Sequence, residues 1–310
     1  MYCEDVENVK GETALCFLSS LVAGRIKEED WEDVSYYALL CVDNVIDITA
    51  YPAKVTEYTA KRRRSVGLGI TNLAHDLASK GLKYSSLEGK NYMHRLAEMH
   101  SFYLHKASLR IAKEKGVCEW IGKTKYPEGW LPIDTYNKNV DTVVTQGLQF
   151  DWERLREEII ELGGIRNSVL EATPPAESSS LASNTTNSFY PIREGYVTKK
   201  SGTTKVVFFA PDYELLRESY ELAWNVSSKD LIDMYSIFQK FHGQGISADL
   251  YTDFSKYVDE KVPMSESLFN FFYATKMGMK SWYYQNSKAG IREEGSSLIE
   301  EEDGCSDCKM

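Results

Sequence analysis

No stretch of this 310-residue chain approaches the roughly 20 consecutive apolar residues that a membrane-spanning helix requires. The first residues, Met1-Tyr-Cys-Glu-Asp-Val-Glu7, are acidic and lack the apolar segment of a secretion signal. An excess of basic charge is missing as well. Against 46 Asp and Glu there are only 36 Lys and Arg, giving a net charge of −10 and a pI near 5.2. Such a field repels phosphate, which argues against nucleic acid or an anionic membrane as a partner. The one basic run, Lys61-Arg62-Arg63-Arg64, is short and reads as a solvated helix end. Six scattered cysteines make no disulfide framework, so a reducing cytoplasm is the expected compartment. Cys41 and Cys118 sit among apolar neighbours and read as buried spectators. The histidines, His75, His94, His100, His105 and His242, lack metal-ligand spacing, so no metal site is expected. Neither a His-Ser-Asp pattern, a nucleotide-binding glycine pattern nor an internal repeat stands out.

What is present suffices for a sizeable core: 43% of the residues are hydrophobic, enough for one large domain or two. Short apolar runs alternate with longer amphipathic segments, which predicts an α/β architecture. The runs read as buried strands are Thr13–Leu18, Val66–Thr71, Asn167–Ala172, Gly245–Leu250 and Ser281–Gln285, with Lys205–Phe209 as a small extra strand. Helices are predicted over Glu29–Ile46, Ser86–Lys115, Trp152–Leu162, Asp212–Trp224, Lys229–Phe241 and Ser265–Met277. Within the longest, Leu96, Met99, Tyr103 and Ala107 share one face. Roughly five parallel strands joined by helices make half of a barrel or a doubly wound sheet. Trp120–Gln149 reads as an irregular excursion.

Four features carry chemistry. From Ser287 to Met310 the chain is polar and charged, with Ile291, Leu298, Ile299 and Met310 as its large apolar residues, so it is expected to remain a flexible tail. The tail ends in Cys305-Ser-Asp-Cys308-Lys-Met310, a dithiol that reads as a redox shuttle, half of a zinc site or a chance pair. Pro174-Pro175-Ala176-Glu177-Ser178-Ser179-Ser180 follows a predicted strand. It supplies hydroxyls and free backbone N–H groups where an anion is favoured, or simply caps a helix. Tyr283-Tyr284 ends another strand; adjacent strand residues face opposite sides, so the rings meet only where the backbone bends. They are either core or interface aromatics, or a redox-active pair. Cys16 lies in a predicted buried strand, where a thiol is usually a small core residue.

In this order the features resemble the large catalytic subunit of class Ia ribonucleoside-diphosphate reductase, of the phage and bacterial type. The resemblance rests on Gly11-Glu-Thr-Ala-Leu-Cys-Phe-Leu-Ser19, Leu68-Gly-Ile-Thr-Asn72 and Leu131-Pro-Ile-Asp-Thr-Tyr136. Further along it includes Arg166-Asn-Ser168, Ser183-Asn-Thr-Thr-Asn187, Lys261-Val-Pro-Met264 and Trp282-Tyr-Tyr-Gln-Asn286. It implies that residues 1–286 form the second half, about five parallel strands, of a ten-stranded α/β barrel with a small α/β segment. Residues 287–310 would be a flexible redox-active tail.

The same resemblance implies roles. Cys16 would be one of two thiols that reduce the ribose, and Tyr284 would pass a radical from the small subunit to Tyr283. Pro175, Ala176, Glu177, Ser178 and Ser179 would hold the substrate diphosphate. Ala176 and Ser178 stand where the family often has Ser and Thr. Cys305 and Cys308 would re-reduce the Cys16 disulfide and be recharged by thioredoxin or glutaredoxin. No cofactor is expected in this chain, a diiron-tyrosyl radical being expected in the small subunit. The family's thiyl cysteine, in an Asn-x-Cys-x-Glu loop, has no counterpart in residues 1–11, where Cys3 is preceded by Met-Tyr. The chain therefore reads as the carboxy-terminal portion of a reductase subunit, whether a split-gene product or a fragment. It would be active only with the amino-terminal portion, a radical-generating small subunit and a ribonucleoside diphosphate, in the cytoplasm of a cell or of a virus's host. The tyrosine pair disfavours a cobalamin-dependent reductase. The tail position of Cys-x-x-Cys disfavours a thioredoxin-like carrier. A non-catalytic fragment that only docks reductase subunits stays open.

Overall fold

The computed structural model describes residues 11–201 and 204–288. Strand β1 (Phe17–Val22) leads through helices α1 (Trp31–Ile48) and α2 (Lys54–Arg63) to strand β2 (Val66–Thr71), which pairs with it in parallel from Phe17↔Val66 to Val22↔Thr71. A parallel return needs such a crossover, and β2 is buried along its whole length, as its apolar run predicts. The expected first strand, Thr13–Leu18, starts four residues later than read. Among the described residues β1 has a neighbour on one side only, and Leu18 and Ser19 are exposed.

The third expected strand, Asn167–Ala172, is reduced to a single parallel bridge, Leu68↔Glu171. Val66 and Leu68, two residues apart, donate to Val169 and Leu170, one residue apart, so the ladder falls out of step. The residues just before are claimed elsewhere: the Asn167 N–H donates to Ser108 Oγ and the Ser168 N–H to the Arg63 carbonyl. Arg166-Asn-Ser168 therefore belongs to a buried polar network rather than to a sheet. Asn167 Nδ2 donates to Asp43 Oδ1 at 3.2 Å, and Arg64 Nε donates to the same oxygen at 2.6 Å. The basic run ends α2 as expected, except that Arg64 is buried against Asp43 and Asp47 instead of solvated.

Helix α3 (Leu73–Ser79) follows β2 directly, and helix α4 (Leu87–Lys115) is the centre of the molecule. Ser86 caps α4 by accepting from the Gly89 N–H, and Gly116 ends it. It packs against α1, helix α5 (Trp152–Leu162) and helix α8 (Ser228–Lys240), so its buried surface extends well beyond one stripe. Residues 116–151 form short 3₁₀ turns between irregular stretches, as their composition indicates. Both α2 and α3 were missed in the sequence, α2 being polar and α3 short.

After helix α6 (Glu177–Ala182), strands β3 (Tyr196–Ser201) and β4 (Thr204–Phe209) make an antiparallel hairpin. The helix expected over Asp212–Trp224 shrinks to α7 (Tyr213–Leu216). Downstream, Leu222 pairs with Ile192 and the Ala223 N–H donates to the Ile192 carbonyl, which draws the chain out of a helical path. Beyond α8 lie strand β5 (Leu250–Asp253), helix α9 (Met264–Met277), packed on α8, and strand β6 (Gln285–Lys288), parallel to β5. The last two strands thus fall about four residues beyond the apolar runs that announced them. Ser287 and Lys288, read as the start of the tail, belong to β6. The fold is α/β, with parallel pairing within both β1–β2 and β5–β6. No helix among the described residues is long and apolar enough to cross a membrane.

Candidate active site

Cys16 lies one residue before β1 and is exposed, not buried as expected, because the strand begins only at Phe17. A Cβ added to Gly67 would stand 3.0 Å from Cys16 Sγ, 2.8 Å from Leu18 Cδ2 and 2.7 Å from Ala172 Cβ. Glycine at 67 therefore lets three groups converge on β2. At Gly69 a Cβ would overlap the Ala172 carbonyl oxygen. The thiol, though exposed, has enough protein around it for desolvation to raise it above the ordinary thiol value. Cys41, expected to be buried, is exposed on α1, whereas Cys118 is buried and desolvation pushes its thiol up to about 11.

Two residues beyond Ala172 the chain enters the turn at 174–180, which leads into α6. Two asparagines hold it. The Ala176 N–H donates to Asn187 Oδ1 at 2.7 Å. Asn72, in the left-handed region at φ 75°, exchanges backbone and side-chain hydrogen bonds with Thr186 and donates to the Ala23 carbonyl. The motifs Leu68–Asn72 and Ser183–Asn187 thus tie the ends of β1 and β2 to the serine turn. No side chain caps α6. Ser179 and Ser180 turn their hydroxyls back onto the carbonyls of Ala176 and Glu177, so the ordinary capping reading of this serine run does not hold.

Tyr283 and Tyr284 precede β6, both about half exposed, with ring centroids 4.2 Å apart and planes inclined by 56°. The strand rule would separate them. The backbone shows why they meet. Leu250 N–H donates to the Tyr284 carbonyl, in step with the Leu250↔Gln285 pairing. One pair earlier the Ala248 carbonyl takes the N–H of Tyr283, where a regular parallel ladder would use Tyr284. One residue is extra, and such a bulge re-aims side chains.

The serine turn and the tyrosine strand meet through charge. Asp249 is buried, and desolvation raises its carboxyl, with Glu177 adding to the rise while Asn286, Arg193 and the Tyr284 N–H oppose it. Burial likewise raises the Tyr251 phenol, again with a contribution from Glu177. Arg193 Nη2 donates to Asn286 Oδ1 at 2.8 Å, and the Tyr190 hydroxyl donates to the Ser247 carbonyl at 2.7 Å. Glu177 and the tyrosine-bearing strand therefore share one neighbourhood. Cys305 and Cys308 lie outside the described residues. Within them no group of three or more His, Cys, Asp or Glu could hold a metal ion.

The profile of the ribonucleotide reductase barrel domain matches residues 3–218 and 211–285. The chain belongs to the ribonucleotide reductase barrel family. It is 39% identical over 314 residues to the ribonucleoside-diphosphate reductase subunit alpha of Haemophilus influenzae, covering 99% of this chain and 41% of the relative. To subunit alpha of ribonucleoside-diphosphate reductase 1 of Escherichia coli it is 40% identical over 271 residues, 86% of this chain and 35% of that one. The subunit alpha of Enterobacteria phage T4 is 34% identical over 313 residues, 99% of this chain and 41% of the relative. The chain thus spans about two fifths of the length of these reductase subunits.

Asp249, Arg193 and Tyr190 were not singled out in the sequence. They lack a distinctive spacing; Asp249 and Arg193 meet at Asn286 because β6 returns parallel to β5, and Tyr190 joins them through the Ser247 carbonyl. Asn72 and Asn187 were visible as motif residues, but not as the clamps they are.

Proposed function

We propose that the chain is the carboxy-terminal part of a reductase large subunit. Joined to the amino-terminal part and a radical-generating small subunit, it converts ribonucleoside diphosphates to deoxyribonucleoside diphosphates. On this reading its parallel strands are part of a ten-stranded barrel. The observation that carries it is the contact between two accessible phenols, Tyr283 and Tyr284, in the neighbourhood of Glu177. Phenols in ring contact pass a radical one way as a hydrogen atom (a proton and an electron) moves the other way, and accessible rings can take the radical from another subunit. Tyr284 gives up its hydrogen atom to the small subunit's radical, Tyr283 gives its own to Tyr284, and the cysteine of the amino-terminal part gives its thiol hydrogen to Tyr283 and becomes the thiyl radical.

The chemistry balances with two thiols. The ribose loses its 2′-hydroxyl as water and gains hydrogen at that carbon. Cys16 and a partner thiol supply two electrons and become a disulfide. Pro175 to Ser179 hold the diphosphate, the uncapped N–H groups at the start of α6 facing it. Cys305 and Cys308 exchange with the disulfide and are re-reduced by thioredoxin or glutaredoxin. Ser287 and Lys288 belong to β6, which leaves the 16 residues from Ala289 to Gly304 before the dithiol. As a flexible coil they would reach roughly 20–25 Å, giving a local thiol concentration on the order of millimolar.

The test is reconstitution. The chain alone, or with the small subunit only, should form no deoxynucleotide, and adding the amino-terminal part with dithiothreitol should start turnover. Cys16→Ser should be inactive with any reductant. Cys305→Ser/Cys308→Ser should fail with thioredoxin and keep slow turnover with dithiothreitol. Product formed without the amino-terminal part, or by Cys16→Ser, would overturn the proposal.

A further inference from the structure

The bulge that brings Tyr283 and Tyr284 together leaves the Tyr284 N–H outside the backbone ladder, since the Ala248 carbonyl is taken by Tyr283 and the Tyr284 carbonyl is used by Leu250. A chain that holds such a bulge needs a side chain to brace it. Asp249 stands between Ala248 and Leu250, the two residues that make these bonds. Its Oδ2 accepts from Asn286 Nδ2 at 3.2 Å, two residues beyond Tyr284. Asp249 itself cannot drift. Its backbone N–H donates to the hydroxyl of buried Tyr235 at 3.1 Å, and that hydroxyl donates to its carbonyl at 2.7 Å. Tyr235 sits on α8, packed against β5. A rigid helix thus fixes a carboxyl, and the carboxyl grips the tyrosine strand at Asn286.

We propose that Asp249 is a positioning residue for the Tyr283–Tyr284 pair: held by Tyr235 and accepting from Asn286, it fixes the bulge that keeps the two phenols in contact. The proposal deepens the reading of the tyrosines as a radical path and rests on that reading for its consequence in turnover. The geometric claim stands without it. The same carboxyl lies within electrostatic reach of Glu177. Its Oδ1 is buried and has no hydrogen-bond partner, and burial favours the protonated acid. A neutral amide that retains one acceptor oxygen is therefore its closest substitute.

The experiment compares Asp249→Ala with Asp249→Asn, each in the full chain. Crystal structures of the chain alone read the geometry. Alanine should release the bulge and part the two rings beyond the roughly 7 Å of aromatic contact, while asparagine should keep them together. Kinetics in the reconstituted complex read the consequence. A donor and acceptor displaced by about 1 Å lose on the order of 100-fold in rate. Alanine should therefore lower kcat by about that factor with the KM for the nucleoside diphosphate nearly unchanged, and asparagine should restore kcat to within several-fold. Unaltered ring contact in the alanine variant, or equal kcat losses in both variants, would overturn the proposal. If the unmutated complex is inactive, the functional reading fails by itself, and the crystal structures still decide the positioning claim.

Discussion

Arg64 offers a sharp test of how the fold is held. Its guanidinium donates to Asp43 Oδ1 and to the Asp43 carbonyl at 2.6 Å, and to the two Asp47 carboxylate oxygens at 2.9 and 3.0 Å. The Arg64 and Asp43 side chains are 5% and 0% exposed. Asp43 also receives Asn167 Nδ2 at 3.2 Å and Arg166 Nε at 3.3 Å, so this one carboxylate joins α1, the end of α2 and the segment leading to Ala172. Arg64→Leu keeps much of the bulk but takes from buried Asp43 its nearer cation, leaving Arg166 at 3.3 Å. Removing one partner of a buried pair costs about 3–5 kcal/mol, a large share of the roughly 5–15 kcal/mol by which domains are stable. For 310 residues the unfolding entropy near 60 °C is about 0.65 kcal/mol/K, so 4 kcal/mol lowers Tm by roughly 6 °C. Urea titration followed by circular dichroism gives the free energy, and calorimetry gives Tm. Asp43→Asn in the Arg64→Leu background should cost less than Asp43→Asn alone, by about 1–3 kcal/mol of coupling. An Arg64→Leu cost below about 1 kcal/mol, the range of exposed pairs, would refute the reasoning.

Other outcomes follow from the same geometry. Burial lowers His94 and His100 to about 4 and His242 to about 3 from the ordinary 6.5, with the Lys240 ammonium contributing at His94 and neighbouring histidines at the other two. The folded state holds these rings neutral, so their stabilisation is complete above pH 6.5 and is lost as pH falls towards 4 and 3. Three groups at roughly 1.4 kcal/mol per pH unit amount to about 4 kcal/mol per unit; equal urea midpoints at pH 7.5 and 5.5 would contradict this. Gly69→Ala should cost about 1–3 kcal/mol because its methyl overlaps the Ala172 carbonyl, whereas Gly122→Ala, which meets open space, should cost nothing measurable in the same titration. Tyr283→Phe and Tyr284→Phe should each abolish turnover in the reconstituted complex and change stability by less than about 0.5 kcal/mol, since both rings are half exposed. Retention of more than a small fraction of the rate would make them packing aromatics.

Alternation of apolar runs with amphipathic segments announced an α/β chain, and where packing and caps agree with local pattern the boundaries came through closely. Helix α5 runs Trp152–Leu162 as read, capped by Asp151 and closed by Gly163, and β2 runs Val66–Thr71 as read, because a strand enclosed on both faces is apolar throughout. Cys16, the serine turn and Tyr283-Tyr284 are linear patterns visible without the fold, and the roles proposed for them rest on their residue types. What the sequence could not convey depends on partners far along the chain. Asn167–Ala172 is apolar enough for a strand, yet Ser108 and the Arg63 carbonyl take the preceding N–H groups and leave one bridge. Arg64 looked solvated because Asp43 lies 21 residues away on another helix. Side-chain alternation predicted that the phenols would point apart; only the register of β6 on β5 inserts the extra residue that joins them, and only the fold places Asp249 beneath it. Local propensity is written in neighbouring residues, whereas a bulge, a buried ion pair and a shared electrostatic neighbourhood arise from which strands and helices come to lie side by side.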